Sequence, residues 1–84
     1  MYKVKYHKQV IKFLKSHQGI AKKIILFFDE VKIDLNFQNY DVKKMEGFKN
    51  SYRLRISKFR VIFKIENNEL LIEVIKAGSR GDEI

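Results

Sequence analysis

The chain has 84 residues, of which 45% are hydrophobic and 13% aromatic, which suits one globular domain over residues 1–84 and excludes a disordered chain. It contains no cysteine, which excludes disulfides and thiolate metal sites and fits a reducing cytoplasm. Neither an apolar run of about 18 residues nor a signal-like start is present, so a membrane span or secretion is not expected. The net charge of +8 favours an anionic partner, either a nucleic acid or an acidic protein.

The first part of the chain predicts one strand followed by a helical hairpin. Residues 2–6 alternate between apolar side chains and lysines, which is the period of a half-buried strand. Apolar residues then recur at spacings of three and four in residues 7–17 and again in residues 20–33, as in two amphipathic helices. Gly19 separates them, so we expect the two helices to pack antiparallel to each other and against a sheet.

The segment that follows has no clear period. Residues 34–40 contain two asparagines and predict a surface loop. Residues 41–47 lead towards the sheet, and Gly47 is expected to adopt a turn conformation that other residues disfavour.

Residues 52–75 predict a three-stranded antiparallel meander. Residues 52–56 and 59–65 alternate between apolar and polar side chains, and Ser57 and Lys58 between them suit a two-residue hairpin turn. A polar turn at residues 66–69 leads into an apolar third strand at residues 70–75. Together with the first strand, the meander predicts an α+β fold with one small four-stranded sheet.

The hairpin turn fixes which residues face each other across the first two strands of the meander. The predicted pairs are Ile56 with Phe59, Arg55 with Arg60, and Leu54 with Val61. The predicted core face holds Tyr52, Leu54, Ile56, Phe59, Val61, Phe63 and Ile65. The opposite face holds Arg53, Arg55, Arg60 and Lys64.

The basic face has two interpretations. Like charges directly opposite each other destabilise a sheet, so the Arg55–Arg60 pair calls for an anion, and the guanidinium fork suits phosphate. A solvated basic face explains the same alternation, and the pattern alone leaves both interpretations open.

Familiar catalytic motifs are absent from the sequence. His7 and His17 have no carboxylate or cysteine at metal-ligand spacing, so we expect no metal site and no cofactor. Neither a glycine-rich phosphate loop nor a nucleophile elbow is present. Any chemistry must therefore use arginine, lysine, tyrosine and backbone groups.

Four segments of the second half resemble the RelE/ParE superfamily of toxins from bacterial and archaeal toxin–antitoxin systems. They are KMEG at residues 44–47, YRLR at 52–55, FRVIF at 59–63 and AGSRGD at 77–82. The predicted element order is also similar to that fold, so the resemblance covers essentially the whole chain. It is more specific in residues 44–82 than in the two helices.

In the RelE branch, this resemblance implies a ribosome-dependent, metal-independent endoribonuclease that cuts messenger RNA in the ribosomal A site and inhibits translation. The 2′-hydroxyl attacks the neighbouring phosphate and leaves a cyclic phosphate. The implied catalytic residues are Arg53, Arg55, Arg60 and Arg80. On the rest of the positive surface, we expect Lys44, Lys58, Lys64 and Lys76 to bind RNA through its phosphates. The implied partners are the ribosome, messenger RNA and an acidic antitoxin in the cytoplasm.

The sequence departs from the RelE pattern in two ways. Many RelE-type toxins carry lysines where this chain has Arg53 and Arg55, and because arginine does not release its proton, a general-base role does not transfer. Lys58, Lys64 and Glu46 remain candidates for proton transfer. The family usually has a tyrosine directly after the tail that ends here at Ile84, so weakened cleavage is expected.

Two alternatives stay open at this point. A ParE-like toxin would inhibit DNA gyrase by binding, without nuclease activity, and the absent tyrosine favours it. The convergent arginines favour RNA cleavage instead, and a general basic RNA-binding domain would leave the tail motif unexplained. Phe59 offers a face for base stacking, but the predicted register places it on the core face.

Overall fold

The computed structural model describes residues 1–79, which form two helices and five strands. The elements in chain order are β1 (Lys3–Tyr6), α1 (Lys8–Ser16), α2 (Gln18–Val31), β2 (Asp41–Lys44), β3 (Ser51–Ile56), β4 (Phe59–Glu66) and β5 (Leu71–Ser79). The α+β class and the strand, helical hairpin and meander order are confirmed. Within residues 1–79, neither helix has the length and hydrophobicity that crossing a membrane requires.

The five strands form one sheet in the order β1-β5-β4-β3-β2. The meander β3-β4-β5 is antiparallel as predicted, and β1 pairs with β5 in parallel. The expected count of four strands is wrong, because β2 adds a fifth strand antiparallel to β3. This strand has a single apolar residue, Val42, so it lacks the alternation that reveals a strand, and its lysines are typical of a protected sheet edge.

The first hairpin has the register predicted for it. Ile56 pairs with Phe59 and Arg55 with Arg60 across the turn. Ser57 adopts a φ of 57° in that turn, as tight two-residue hairpins require. Every other residue of β3 and β4 therefore points to the same face of the sheet.

The two helices pack against one face of the sheet and form the core with it. The predicted stripe of α2 is buried together with the inward residues of β3, β4 and β5. Phe27 and Phe28 are fully buried, and the Phe28 ring lies edge-on to Phe63 with 5.2 Å between ring centroids. The sheet face on the other side, called here the outer face, carries the predicted basic residues.

Candidate functional site

The strand register sorts the side chains of the outer face into transverse rows. One row consists of Asp41, Arg55, Arg60 and Gly78. The next row consists of Lys43, Arg53, Ile62 and Lys76. Arg55 thus lies directly opposite Arg60. Arg53 is the diagonal neighbour of Arg60 on the adjacent strand, a separation that long side chains can span. The fold brings these three predicted arginines together.

The arginines differ in how far they are removed from solvent. Arg53 and Arg60 are half-buried, whereas Arg55 is exposed. The Nε atoms of Arg53 and Arg60 are buried, and neither has a hydrogen-bond partner among residues 1–79. A buried donor without an acceptor costs about 1–3 kcal/mol, so two of them on neighbouring strands favour an anion at this point. This observation supports the phosphate interpretation of the basic face over the solvated one.

Two clefts flank Arg60. The first, called the arginine cleft, has a volume of about 300 Å³ and is lined by Lys43, Lys44, Met45, Glu46, Arg53, Arg60 and Ile62. The second, called the hairpin cleft, has a volume of about 220 Å³ and is lined by Arg55, Ser57, Lys58, Phe59 and Arg60. Because Arg60 lines both, one guanidinium can contact a ligand that extends from one cleft into the other.

The predicted RNA-binding lysines are distributed unevenly around these clefts. Lys44 lines the arginine cleft, and Lys58 lines the hairpin cleft, with its Nζ 5.7 Å from the ring centroid of Phe59. Lys64 lies one row further along the sheet and forms an ion pair of 3.1 Å with Glu66. Lys76 is on β5, opposite Ile62. Arg80 lies outside the described residues.

The three candidates for proton transfer lie in different surroundings. Glu46 lines the arginine cleft together with Arg53 and Arg60, and its side chain is exposed. Lys58 faces the hairpin cleft, on the other side of Arg60. Lys64 is engaged with Glu66. The two clefts therefore place one carboxylate and one ammonium on opposite sides of Arg60.

Sequence reasoning missed Lys43, which pairs with Arg53 and adds a fourth cation beside the three arginines. Recognising β2 as a strand would have revealed it, because the register then places Lys43 on the outer face. The interpretation of Phe59 as a core residue is confirmed. Its ring lies edge-on to Phe13 and His17, with centroid distances of 5.6 and 5.4 Å.

Comparison with known proteins gives a consistent set of relatives. No protein-family model matches the chain. The toxin RelE3 from Methanocaldococcus jannaschii is 32% identical over 72 residues, which cover 82% of each protein. A chain of the archaeal RelE–RelB complex from Pyrococcus horikoshii is 31% identical, with 98% of both chains covered and a TM-score of 0.82. A RelB–RelE antitoxin–toxin complex from Methanococcus jannaschii gives 25% identity, coverage of 89% and 88%, and a TM-score of 0.75.

Proposed function

The chain belongs to the RelE family of toxins, and on that premise we propose that it is a ribosome-dependent endoribonuclease that cuts messenger RNA in the A site. The observation that carries the proposal is the pair of buried, unpartnered Nε donors on Arg53 and Arg60. A gyrase inhibitor that acts by binding alone does not need such a site. The similarity is to RelE proteins and does not favour the ParE alternative.

The arginines bind the scissile phosphate in this proposal. Guanidinium groups donate paired hydrogen bonds to phosphate oxygens, and Arg53, Arg55 and Arg60 are near enough on the sheet to act on one group. Negative charge accumulates on the phosphate oxygens as the nucleophile attacks. Donors held in place by a sheet stabilise that charge without having to reorganise, which lowers the barrier.

The reaction itself is a transesterification that needs two proton transfers. The 2′-oxygen forms a bond to phosphorus, the bond from phosphorus to the 5′-oxygen breaks, and a 2′,3′-cyclic phosphate and a 5′-hydroxyl result. The Glu46 carboxylate accepts the 2′-hydroxyl proton in this scheme, because it lines the same cleft as Arg53 and Arg60. The Lys58 ammonium donates a proton to the 5′-oxygen from the hairpin cleft on the other side of Arg60.

The proposed partners follow from the family and the charge. An antitoxin protein would bind this toxin in the cytoplasm, since two similar structures are RelE–RelB complexes. A net charge of +8 favours an acidic antitoxin and speeds its association. The same charge favours the phosphates of ribosomal and messenger RNA.

Cell-free translation with primer extension on the messenger tests the nuclease proposal. The native sequence should give ribosome-dependent cuts, and Arg60→Ala should reduce their rate by roughly 10²–10³-fold, as loss of a charge-stabilising donor does. Lys22→Ala, which removes an exposed lysine on α2, is the matched control and should cut normally. A version with one tyrosine added after Ile84 is measured in parallel. Intact messenger with every version, together with inhibition of gyrase supercoiling, would replace the nuclease with the ParE alternative.

A further inference from the structure

An apolar pocket interrupts the charged outer face beside the arginine cleft. It has a volume of about 250 Å³ and is lined by Met45, Phe48, Ser51, Ile62 and Ile75. Met45 and Ile62 also line the arginine cleft, so the two spaces adjoin and share a wall. A ligand held by Arg53 and Arg60 therefore has an apolar space next to it.

A β-bulge builds the floor of this pocket. Ile62 pairs with Lys76 while its neighbour Phe63 pairs with Val74, so Ile75 has no partner in the register. A bulge redirects a side chain, and here it brings Ile75 beside Ile62, which is only 8% exposed although it is on the outer face. Gln9 Nε2 donates a hydrogen bond of 2.7 Å to the backbone oxygen of Ile75 and thereby holds the bulge from α1.

Phe48 forms the rim of the pocket from the loop between β2 and β3. The Met45 N–H donates to the Ser51 oxygen at 2.9 Å and closes the loop, while Gly47 turns it with a φ of 82°. The Phe48 side chain is 62% exposed, so it contributes little to the core. An exposed aromatic ring beside a cationic cleft is the arrangement with which single-stranded RNA is bound, by stacking and phosphate contacts together.

We propose that the apolar pocket takes a nucleobase of the bound RNA, with Phe48 stacked on its face, next to the phosphate held by Arg53 and Arg60. The inference rests on the proposed function, since it assigns a second subsite to the same substrate. A nucleotide joins a flat apolar base to an anionic phosphate through one sugar, and the adjoining pocket and cleft match these two parts. The lining offers one polar side chain, that of Ser51, so the base is bound through stacking and size more than through its hydrogen-bonding edge.

Cleavage kinetics with three substitutions of Phe48 test this stacking role. Phe48→Ala should lower kcat/KM by about 5- to 150-fold, the range expected for one base–aromatic stack. Phe48→Trp keeps a ring and should restore cleavage, whereas Phe48→Leu keeps an apolar group without a π-face and should not. Leu26→Ala, which removes a 55% exposed side chain from α2, is the control and should cut normally. Equal cleavage by the native protein and by Phe48→Ala or Phe48→Leu would overturn the inference.

A binding measurement separates this inference from the nuclease proposal. The probe is a 2′-O-methyl RNA trinucleotide with a central 2-aminopurine, which cannot be cleaved and whose fluorescence falls when the base stacks. The native protein and Phe48→Trp should quench it at low salt, and Phe48→Ala should not. Quenching without cleavage of messenger would uphold the pocket and refute the nuclease. Normal cleavage by Phe48→Ala would refute the base pocket. If that variant also bound the antitoxin more weakly, Phe48 would be assigned to the antitoxin interface instead.

Discussion

Arg60→Met should raise the free energy of unfolding of the ligand-free protein while it slows the proposed cleavage of messenger RNA. Methionine keeps an unbranched apolar stem of similar reach but removes the guanidinium. In the native protein the buried Nε of Arg60 has no acceptor among residues 1–79. The residue directly opposite Arg60 on the neighbouring strand is Arg55, which carries the same charge. The substitution therefore removes both an unsatisfied donor and a like-charge pair.

The size of the gain follows from these two contributions. An unsatisfied buried donor costs about 1–3 kcal/mol, and the lower end applies because the side chain is only half-buried. A like-charge pair across two strands adds roughly 0.2–1 kcal/mol. Some packing contacts of the guanidinium are lost, so we expect a net gain of about 0.5–2 kcal/mol. For a domain of this size, each kcal/mol raises Tm by about 4–8 °C.

Urea unfolding at low ionic strength measures this gain as a shift of the midpoint at constant slope. Lys22→Met on α2 is the matched control, because it removes an exposed cation without a like-charged strand partner. Inorganic phosphate should stabilise the native protein by binding to the folded state, and should stabilise Arg60→Met less. An Arg60→Met protein that is less stable than the native one, or that gains as much from phosphate, would refute the idea that the cleft holds uncompensated positive charge.

Two further predictions concern the core and the pH dependence of stability. Phe28→Ala should lower the free energy of unfolding, measured in urea, by about 3–5 kcal/mol because Phe28 is fully buried. Ile33→Ala is the control, since its side chain is 66% exposed, and should change that free energy by no more than about 0.5 kcal/mol. A similar loss in both variants would contradict the packing described. Burial, and secondarily the charge of Asp29, raises the pKa of Tyr6 to about 12, so the folded state keeps a proton that the unfolded state releases near pH 10. The stability that this raised pKa contributes is present below about pH 10 and is lost between pH 10 and 12. Tyr6→Phe should therefore lose less stability than the native protein over that window. An equal fall in Tm of the two proteins between pH 10 and 12 would contradict this prediction.

The register of the β3–β4 hairpin was predictable to the residue because two local signals agree there. Residues 52–56 and 59–65 alternate strictly, and a turn of two residues leaves a single register between them. That register placed Arg53, Arg55 and Arg60 on one face without any knowledge of the rest of the sheet. The helices were predictable for the same reason, since their buried stripes follow the helical period.

The remaining parts of the site depend on contacts between distant segments. The pairing of β1 with β5 is parallel and joins the start of the described chain to its end, which no local pattern specifies. The bulge at Ile75 falls in an apolar run, LLIEVI, whose alternation is too weak to show where the register shifts. Phe48 was overlooked because an isolated aromatic residue in a loop gives no periodic signal, and its importance lies in the pocket beside it.

The parallel pairing of β1 with β5 also governs the order in which the protein can fold. The hairpins of β3 with β4 and of β4 with β5 close short loops and can form as soon as their strands exist, whereas β1 must wait for Leu71 and its neighbours. A contact of such long sequence separation slows folding, so the unpaired β1 persists as a late step. During synthesis, the nascent chain holds β1 and the helices without the strand that completes their sheet. The sheet that carries the proposed arginine site on β3 and β4 is therefore complete only after β5 has been made.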